Sequence, residues 1–168
     1  GRVLTCVSYP GYDNNRLANT MDTDYYNYLY ASSAKPLYNK ATQELTAPGS
    51  TFKMISSAAG LEEGVITGSS LISCAGPYKN IKNGPKCWIY PGGHGSLNVV
   101  QAIGNSCNSF YYDVGFRLGL LSDGNYSSDK GTERIAKYAK MFGLSEVSGL
   151  EIPEREPQIS NEDAVRSA

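Results

Sequence analysis

The chain has 168 residues, of which 40% are hydrophobic and 18% are charged, and its formal net charge is −1. These values are typical of a globular chain with room for one core, so they exclude a disordered segment and a fibrous repeat. A net charge near zero provides no basic surface for a phosphate backbone, so we expect no nucleic acid among the partners. No apolar run approaches the ~20 residues that a membrane-spanning helix needs.

The first quarter of the sequence predicts one strand followed by a long connection. Residues 2–8 are mostly apolar and rich in β-branched side chains, and they end at a Tyr-Pro-Gly turn at residues 9–11. This pattern predicts a buried strand. From Tyr12 to Glu44 the sequence is polar, rich in Asn and Tyr, and without a sustained period. We therefore expect an irregular connection there, with its tyrosines as packing and rim residues.

A buried helix is predicted to begin near Ser50, directly after a Pro-Gly turn. Apolar residues follow at helical spacing as far as Leu61, in two stripes that together cover most of the helix circumference. Serine at a helix start is an ordinary N-cap, so capping is the simplest role for Ser50. Capping leaves Lys53 unexplained. This lysine lies in the first turn on the same face, where the helix macrodipole and apolar neighbours disfavour a positive charge. A neutral lysine beside a serine hydroxyl is a general base beside a nucleophile.

The bare pattern Ser-x-x-Lys is a weak signal, because it occurs three times in this chain. The other two occurrences run from Ser32 to Lys35 and from Ser127 to Lys130, and both lie in polar sequence. The pattern at Ser50 alone opens an apolar helix after Pro-Gly. That context makes it the candidate for chemistry.

A second polar constellation, Ser106-Cys107-Asn108, lies where one short apolar helix is predicted to end and the next to begin. The second helix carries one apolar face from Phe110 to Leu118, and Ser96 is predicted to cap the first. Two polar side chains on either side of a middle residue can point one way while that residue packs the other way. Two interpretations stay open for Asn108: a partner of Ser106 in this arrangement, or a helix cap.

The cysteines and the single histidine offer little support for a metal. Cys6, Cys74, Cys87 and Cys107 form no Cys-x-x-Cys pair, so we expect no metal site. Cys74 and Cys87 bracket a Gly-, Pro- and Lys-rich excursion whose ends are expected to be near neighbours. A disulfide there, which requires a compartment outside the cytosol, and two unpaired thiols remain equally open. We expect Cys107 to be a separate packing residue, and His94, set among glycines, to be part of a structural turn and not a general base.

Eight short segments of the chain occur together, in this order, in a known family. They are GRVL at 1–4 with YPGYDNN at 9–15, PLYNKA at 36–41, PGSTFK at 48–53, HG at 94–95, SCNSF at 106–110, FGL at 142–144 and GLEIPE at 149–154. In this combination the sequence resembles the transpeptidase domain of class B penicillin-binding proteins. The resemblance implies an α+β fold, the penicillin-binding protein/β-lactamase-like one, with an antiparallel sheet and flanking helices.

The resemblance also implies roles for four residues. Ser50 is the expected nucleophile on the carbonyl between the two terminal D-alanines of a peptidoglycan stem peptide, and Lys53 accepts its proton. Ser106 passes a proton to the departing D-alanine, and Asn108 orients Lys53 and the peptide. The implied function is that of a D,D-transpeptidase without a cofactor, which β-lactam antibiotics acylate at the same serine. The implied location is the outer face of the bacterial cell membrane, with any anchor outside this chain.

Two departures from the family's pattern are visible. Lys40 occupies a position where the family usually has arginine, and none of the nine lysines is followed by Thr or Ser and then Gly, the family's third motif. We therefore expect residues 1–168 to be the N-terminal and helical portion of a transpeptidase domain, truncated before its C-terminal strands. The remainder of the domain, as a separate chain, is then a candidate partner. Residues 1–168 are expected to be poorly active alone. The alternatives are a β-lactam sensor, a serine β-lactamase-like domain or an inactive scaffold fragment, which the lifetime of the acyl-enzyme distinguishes.

Overall fold

The computed structural model describes residues 2–81 and 83–159, and the chain divides into two compact units. The N-terminal unit comprises the residues up to 46 together with 147–157. Of the described residues, the central unit comprises 47–146, without residue 82, and 158–159. None of the helices in the described ranges is long and apolar enough to cross a membrane.

Short capped helices occupy much of the N-terminal unit. A 3-10 turn spans Asn14–Arg16, and it is followed by α1 at Thr23–Ala31 and α2 at Lys40–Gln43. The carboxylate of Asp22 accepts the N–H of the third residue of α1, and the side chain of Asn39 caps α2 in a similar way. The predicted irregular connection over residues 12–44 is therefore wrong in part. These helices start from side-chain caps and bury few apolar residues, so they carry no apolar period to detect.

The predicted buried strand over residues 2–8 is also wrong for the described part of the chain. Val3 and Leu4 are 60% and 83% exposed, and no described strand pairs with this segment. A β-branched composition sets only a preference, whereas a strand also needs a neighbour to take up its N–H and C=O groups. The segment is held instead through Ser8, whose hydroxyl donates to the carbonyl of Tyr38 at 3.2 Å and accepts the N–H of Lys40 at 3.0 Å.

The central unit combines helices with a small sheet, and its principal elements are packed around one helix. In chain order they are a 3-10 turn at Gly49–Phe52, α3 at Lys53–Glu62, β1 at Ile72–Cys74, β2 at Gly95–Leu97, α4 at Val99–Gly104, α5 at Asn108–Gly119 and α6 at Ser128–Met141. Helix α5 packs against α3, α6 and β1, and β1 pairs antiparallel with β2. The expected α+β class is confirmed.

The core of the central unit follows the predicted apolar face of α5. Phe110, Val114 and Leu118 are all fully buried, one helical turn apart. From α3, Ile55 and Ala59 contribute to the same core. The second apolar stripe that the sequence predicted on α3 is not buried among the described residues, since Met54 and Leu61 are exposed. One stripe of α3 therefore makes the packing contact.

Helix α4 begins two residues later than the sequence predicted. Asn98 caps it, accepting the N–H of Gln101, and the Gln101 side chain accepts the N–H of Asn98 in return. Ser96, the predicted cap, lies in β2 opposite Ser73. The capping prediction for Ser96 is wrong because this stretch pairs with β1 before the helix can start.

Truncation of Phe110 should have a large effect on stability. We expect Phe110→Ala to lower the free energy of unfolding by about 3–5 kcal/mol, since it leaves a cavity at the centre of the core. Urea unfolding followed by circular dichroism measures this change. The matched control is Phe142→Ala, an exposed phenylalanine, for which we expect a change within about 0.5 kcal/mol. Equal losses in the two variants would contradict the assignment of the core.

Candidate active site

Ser50 lies at the surface in the turn that leads into α3. Gly49 has a φ of +60°, a backbone conformation that glycine adopts without steric cost, and the chain enters the 3-10 turn from there. Ser50 is exposed, and it does not cap the helix. Its hydroxyl instead lies 3.2 Å from the Nζ of Lys53 and 3.0 Å from the Oγ of Ser106. The capping interpretation of Ser50 is wrong.

Lys53, half-buried at the start of α3, contacts each of the other three site residues. Its Nζ donates to Asn108 Oδ1 at 2.6 Å, to the carbonyl oxygen of Ser106 at 2.7 Å, to Ser106 Oγ at 2.9 Å and to Ser50 Oγ at 3.2 Å. The same atom lies 5.6 Å from the ring centroid of Tyr111. An ammonium group has three N–H donors, so four acceptors compete for them.

The neutral form of Lys53 matches this environment well. A neutral amine has two N–H groups and one lone pair. The carbonyl of Ser106 and the Oδ1 of Asn108 can only accept, so they take the two N–H groups, while either serine hydroxyl can turn and donate to the lone pair. Burial lowers the pKa of Lys53 below its ordinary value of 10.5, against the opposing influence of Cys87 and Cys107. Both geometry and burial therefore support a lysine able to accept a proton.

The junction between α4 and α5 has a strained backbone at Ser106. This residue has a φ of +49°, in the left-handed region that residues other than glycine seldom adopt. Cys107 follows as the N-cap residue of α5 and is fully buried, while the flanking side chains reach Lys53 on the opposite side. Asn108 is the first residue inside α5, and its Oδ1 accepts from Lys53. Of its two interpretations, partnership with Ser106 agrees with the structure and helix capping does not.

The structure thus brings the four predicted site residues into one hydrogen-bonded group. Ser50 lies in the turn before α3 and Lys53 at the start of α3, and Ser106 and Asn108 lie 53 to 58 positions further along the chain. Local spacing predicted the contact of Ser50 with Lys53, whereas for Ser106 and Asn108 it left two interpretations open. The meeting of the two pairs results from the packing of α3 against α5.

A second group of side chains, which sequence reasoning missed, lies next to this junction. We call it the thiol–imidazole cluster: Cys74, Cys87, His94 and Cys107, whose sulfur and nitrogen atoms all lie within 4.8 Å of one another. The Nδ1 of His94 is 3.5 Å from the sulfur of Cys74 and 3.7 Å from that of Cys87. Cys74 and Cys87 are near neighbours, as predicted, and both are free thiols.

One expectation about the cluster is therefore wrong, because Cys107 lies beside the other three residues and is not a separate packing residue. The four side chains are also of the types that bind zinc, although the sequence led us to expect no metal site. The sequence did not predict this cluster, because its residues come singly from distant segments and do not form a Cys-x-x-Cys pair. The pairing of β1 with β2 and the return of the chain into α5 bring them together.

Backbone donors surround the sulfur of Cys87. Burial raises the pKa of this thiol, but N–H groups of Ser109, Ile89 and Asn108 outweigh burial and lower the pKa to about 6. At Cys107 burial is the dominant influence, and it raises the pKa of that thiol to about 12. The cluster therefore favours a thiolate at Cys87 before one at Cys107.

Comparison with known proteins identifies the family. The family model described as the penicillin binding protein transpeptidase domain matches residues 1–168, the whole chain. The protein belongs to that family. Among curated relatives, the peptidoglycan D,D-transpeptidase MrdA of Haemophilus influenzae is 29% identical over 163 residues, which cover 90% of this chain and 22% of the relative.

Solved structures agree with this assignment. Pseudomonas aeruginosa PBP2 in complex with WCK 5153 is 27% identical with a TM-score of 0.78, over 96% of this chain and 34% of that one. The penicillin G acyl-enzyme of penicillin-binding protein A from M. tuberculosis is 26% identical with a TM-score of 0.70, over 95% and 36%. The chain thus spans about a fifth to a third of these relatives.

Proposed function

We propose that the protein is a peptidoglycan D,D-transpeptidase in which Ser50 forms an acyl-enzyme with a stem peptide ending in D-alanyl-D-alanine. One observation carries the proposal. Ser50 Oγ, Ser106 Oγ and Lys53 Nζ form a triangle with sides of 3.0, 2.9 and 3.2 Å, so a nucleophile, a relay and a base are within direct proton-transfer distance. The name of the H. influenzae relative supports the substrate class.

Acylation uses these three groups in turn. Ser50 Oγ attacks the carbonyl carbon of the D-alanyl-D-alanine bond and gives its proton to neutral Lys53, directly or through Ser106. The carbonyl oxygen gains the negative charge, and the backbone N–H of Ser50 is a donor for it. The carbon–nitrogen bond then breaks. Ser106 protonates the leaving nitrogen and is itself reprotonated by Lys53, so the base ends neutral and an ester remains on Ser50.

Transfer to the acceptor follows the same route in reverse. An amine of a second stem peptide attacks the ester carbonyl, and its proton passes through Ser106 to Lys53. Ser50 takes that proton as the ester bond breaks. Asn108 remains bound to Lys53 throughout and orients its lone pair toward the hydroxyls. The net reaction exchanges one amide bond for another and needs neither a cofactor nor a redox partner.

β-Lactams are proposed to acylate the same serine, because their strained amide imitates the D-alanyl-D-alanine bond. The penicillin G acyl-enzyme of the M. tuberculosis relative supports this. The proposed place of action is the outer face of the bacterial cell membrane, where peptidoglycan stem peptides are found. Free thiols of a protein at that location are exposed to an oxidising environment.

The third family motif, Lys-Thr/Ser-Gly, is proposed to lie outside these 168 residues. The sequence contains no such motif, and the chain spans only 36% of the M. tuberculosis structure. The missing strand would provide the second oxyanion donor and the site for the substrate carboxylate, from a continuation of the chain or from a separate one. Without it, the transition state loses about 3 kcal/mol of stabilisation.

The test compares residues 1–168 with an extended protein, in which this chain continues through a Lys-Thr/Ser-Gly strand. We expect intact-mass spectrometry with excess penicillin to show one adduct on the extended protein, and peptide mapping to place it at Ser50. The short chain should acylate at least ~10²-fold more slowly, because one oxyanion donor is absent. Equal acylation rates would refute the proposed domain boundary, and an adduct elsewhere would refute the proposed nucleophile.

The fate of the adduct in the same experiment separates the functional classes. A transpeptidase holds the penicilloyl ester for many minutes and releases it to an amine acceptor in a stem-peptide assay. A β-lactamase-like domain would instead return free enzyme and hydrolysed penicillin within seconds. A sensor or scaffold would fail to use the stem peptide at all.

A further inference from the structure

We propose that Tyr111 is a positioning residue for Lys53, and that its hydroxyl and its ring together hold the base where it reaches the two serine hydroxyls. This role rests on the proposed function, because it concerns the residue that accepts the proton of Ser50. Tyr111 lies on α5, three residues after Asn108, and it contacts α3 through both its hydroxyl and its ring. The reaction described above does not use it.

A lysine that acts as a base has to be held in place, because its amine is at the end of a flexible four-carbon chain. Three of the four hydrogen-bond acceptors around Nζ come from one segment, the junction between α4 and α5. The fourth, the hydroxyl oxygen of Ser50, changes its bonding during the reaction. Contacts that take no part in the chemistry are therefore needed to keep the amine in position.

The hydroxyl of Tyr111 is connected to the backbone of Lys53 through one buried side chain. The Oγ of Ser57 donates to the carbonyl oxygen of Lys53 at 2.8 Å. Since this Oγ has only one proton, it accepts the proton of Tyr111, whose hydroxyl oxygen is 2.8 Å away. Burial raises the pKa of Tyr111 above its ordinary value of 10.0, so the phenol keeps that proton. The first turn of α3 is thereby bound to α5 at the residue that carries the base.

The ring of Tyr111 lies beside the amine itself. Its centroid is 5.6 Å from Nζ, within the ~6 Å over which an aromatic face attracts a cation. Before the reaction the ring is an apolar neighbour, and it contributes to the burial that favours the neutral amine. Once Lys53 has accepted the serine proton, the face of the ring favours the ammonium. The ring therefore suits both forms that the base takes during the reaction.

The same tyrosine lines a cavity beside α5 and α6. This cavity has a volume of about 760 Å³, and the side chains around it include Tyr111, Tyr112, Phe116 and Ile135. A smaller side chain at position 111 should join this space to the surroundings of Nζ, so the amine would gain both water and room to move. Tyr112 is a matched control, because it is a half-buried tyrosine of the same helix that lines the same cavity and packs against the ring of Tyr78, with centroids 6.3 Å apart.

The kinetics of β-lactam acylation in the extended protein test this role. Stopped-flow rates over a range of β-lactam concentrations separate the dissociation constant of the initial complex from the acylation rate constant. We expect Tyr111→Leu to lower the acylation rate constant about 10²-fold, the usual effect of a small misplacement of a catalytic group, and to leave the dissociation constant nearly unchanged. Tyr111→Phe keeps the ring, so it should recover most of the rate and remain about 5-fold slow for the loss of one hydrogen bond. Tyr112→Leu should acylate at the wild-type rate.

Three results would overturn the positioning role. They are an unchanged acylation rate constant in Tyr111→Leu, an effect of this variant on initial binding alone, and an equal loss of rate in Tyr112→Leu. A tyrosine that served packing alone would give the last of these results, since both variants remove a ring from the same helix. Circular dichroism establishes that each variant is folded before its rate is measured.

A double-mutant cycle keeps the test decisive if Tyr111→Leu fails to fold. Ser57→Ala should slow acylation about 5-fold, and the double variant Tyr111→Phe with Ser57→Ala should be no slower than Ser57→Ala, because both changes break the same chain of hydrogen bonds. Losses that multiply to about 25-fold would refute this connection. Absence of an adduct on the wild-type extended protein would instead count against the proposed function. The same cycle, measured on the free energy of unfolding, would then still decide whether Tyr111 and Ser57 act as a pair.

Discussion

Ser50→Ala is expected to abolish the covalent penicillin adduct of the extended protein completely. The substitution removes the atom that forms the ester, so no other part of the site can compensate. The fold should persist, because Ser50 is exposed and its hydroxyl contacts only Lys53 and Ser106 among the described residues. Fluorescent penicillin on a denaturing gel, with intact-mass spectrometry alongside, measures the adduct.

The chain provides matched controls for this variant. Ser32 and Ser127 begin the other two Ser-x-x-Lys patterns, and both should accept alanine without loss of the adduct. The hydroxyl of Ser127 caps α6 by accepting the N–H of Lys130 at 3.2 Å, so its loss should cost about 1 kcal/mol of stability and leave acylation intact. A residual adduct in Ser50→Ala, or loss of the adduct in either control, would overturn the assignment of the nucleophile.

Lys53→Ala should slow acylation by about 10²–10⁴-fold, the range expected for loss of a general base. Stability should change much less, because alanine is a good helix former and Lys53 is only half-buried. Lys53→Arg separates chemistry from charge: arginine keeps the positive charge and donors but cannot lose its proton, so it should also be slow. Stopped-flow acylation by a chromogenic β-lactam gives the rates.

The pH dependence of acylation follows from the same lysine. Burial disfavours the charged form of Lys53 and lowers its pKa below 10.5. The neutral base therefore accumulates as the pH rises through this lowered pKa, and the wild-type rate should rise with pH and then level off. Lys53→Ala should lose this rise. Lys35→Ala and Lys130→Ala, the corresponding lysines of the other two patterns, should retain the wild-type profile, and a shared change in all three variants would contradict the role of Lys53.

Features encoded within one or two turns of backbone were readable from the sequence. The apolar period of α5 predicted the buried face from Phe110 to Leu118, and the abrupt change after Pro-Gly predicted the start of α3. The spacing of Ser50 and Lys53 predicted their contact, because residues three apart share a helical face. The resemblance to the family linked Ser106 and Asn108 to Lys53, and the structure places these side chains in one hydrogen-bonded group with Ser50. Their catalytic roles stay a prediction.

Features that depend on contacts between distant segments required the fold. Residues 2–8 have the composition of a strand, yet a strand exists only where another segment takes up its hydrogen bonds, and none of the described residues does so. The role of Asn108 was open until the packing of α3 against α5 set its amide against Lys53. The thiol–imidazole cluster is the clearest case: its ligands are single residues from separate segments, so their spacing carries no signal, and only the folded chain brings them within reach of one metal ion.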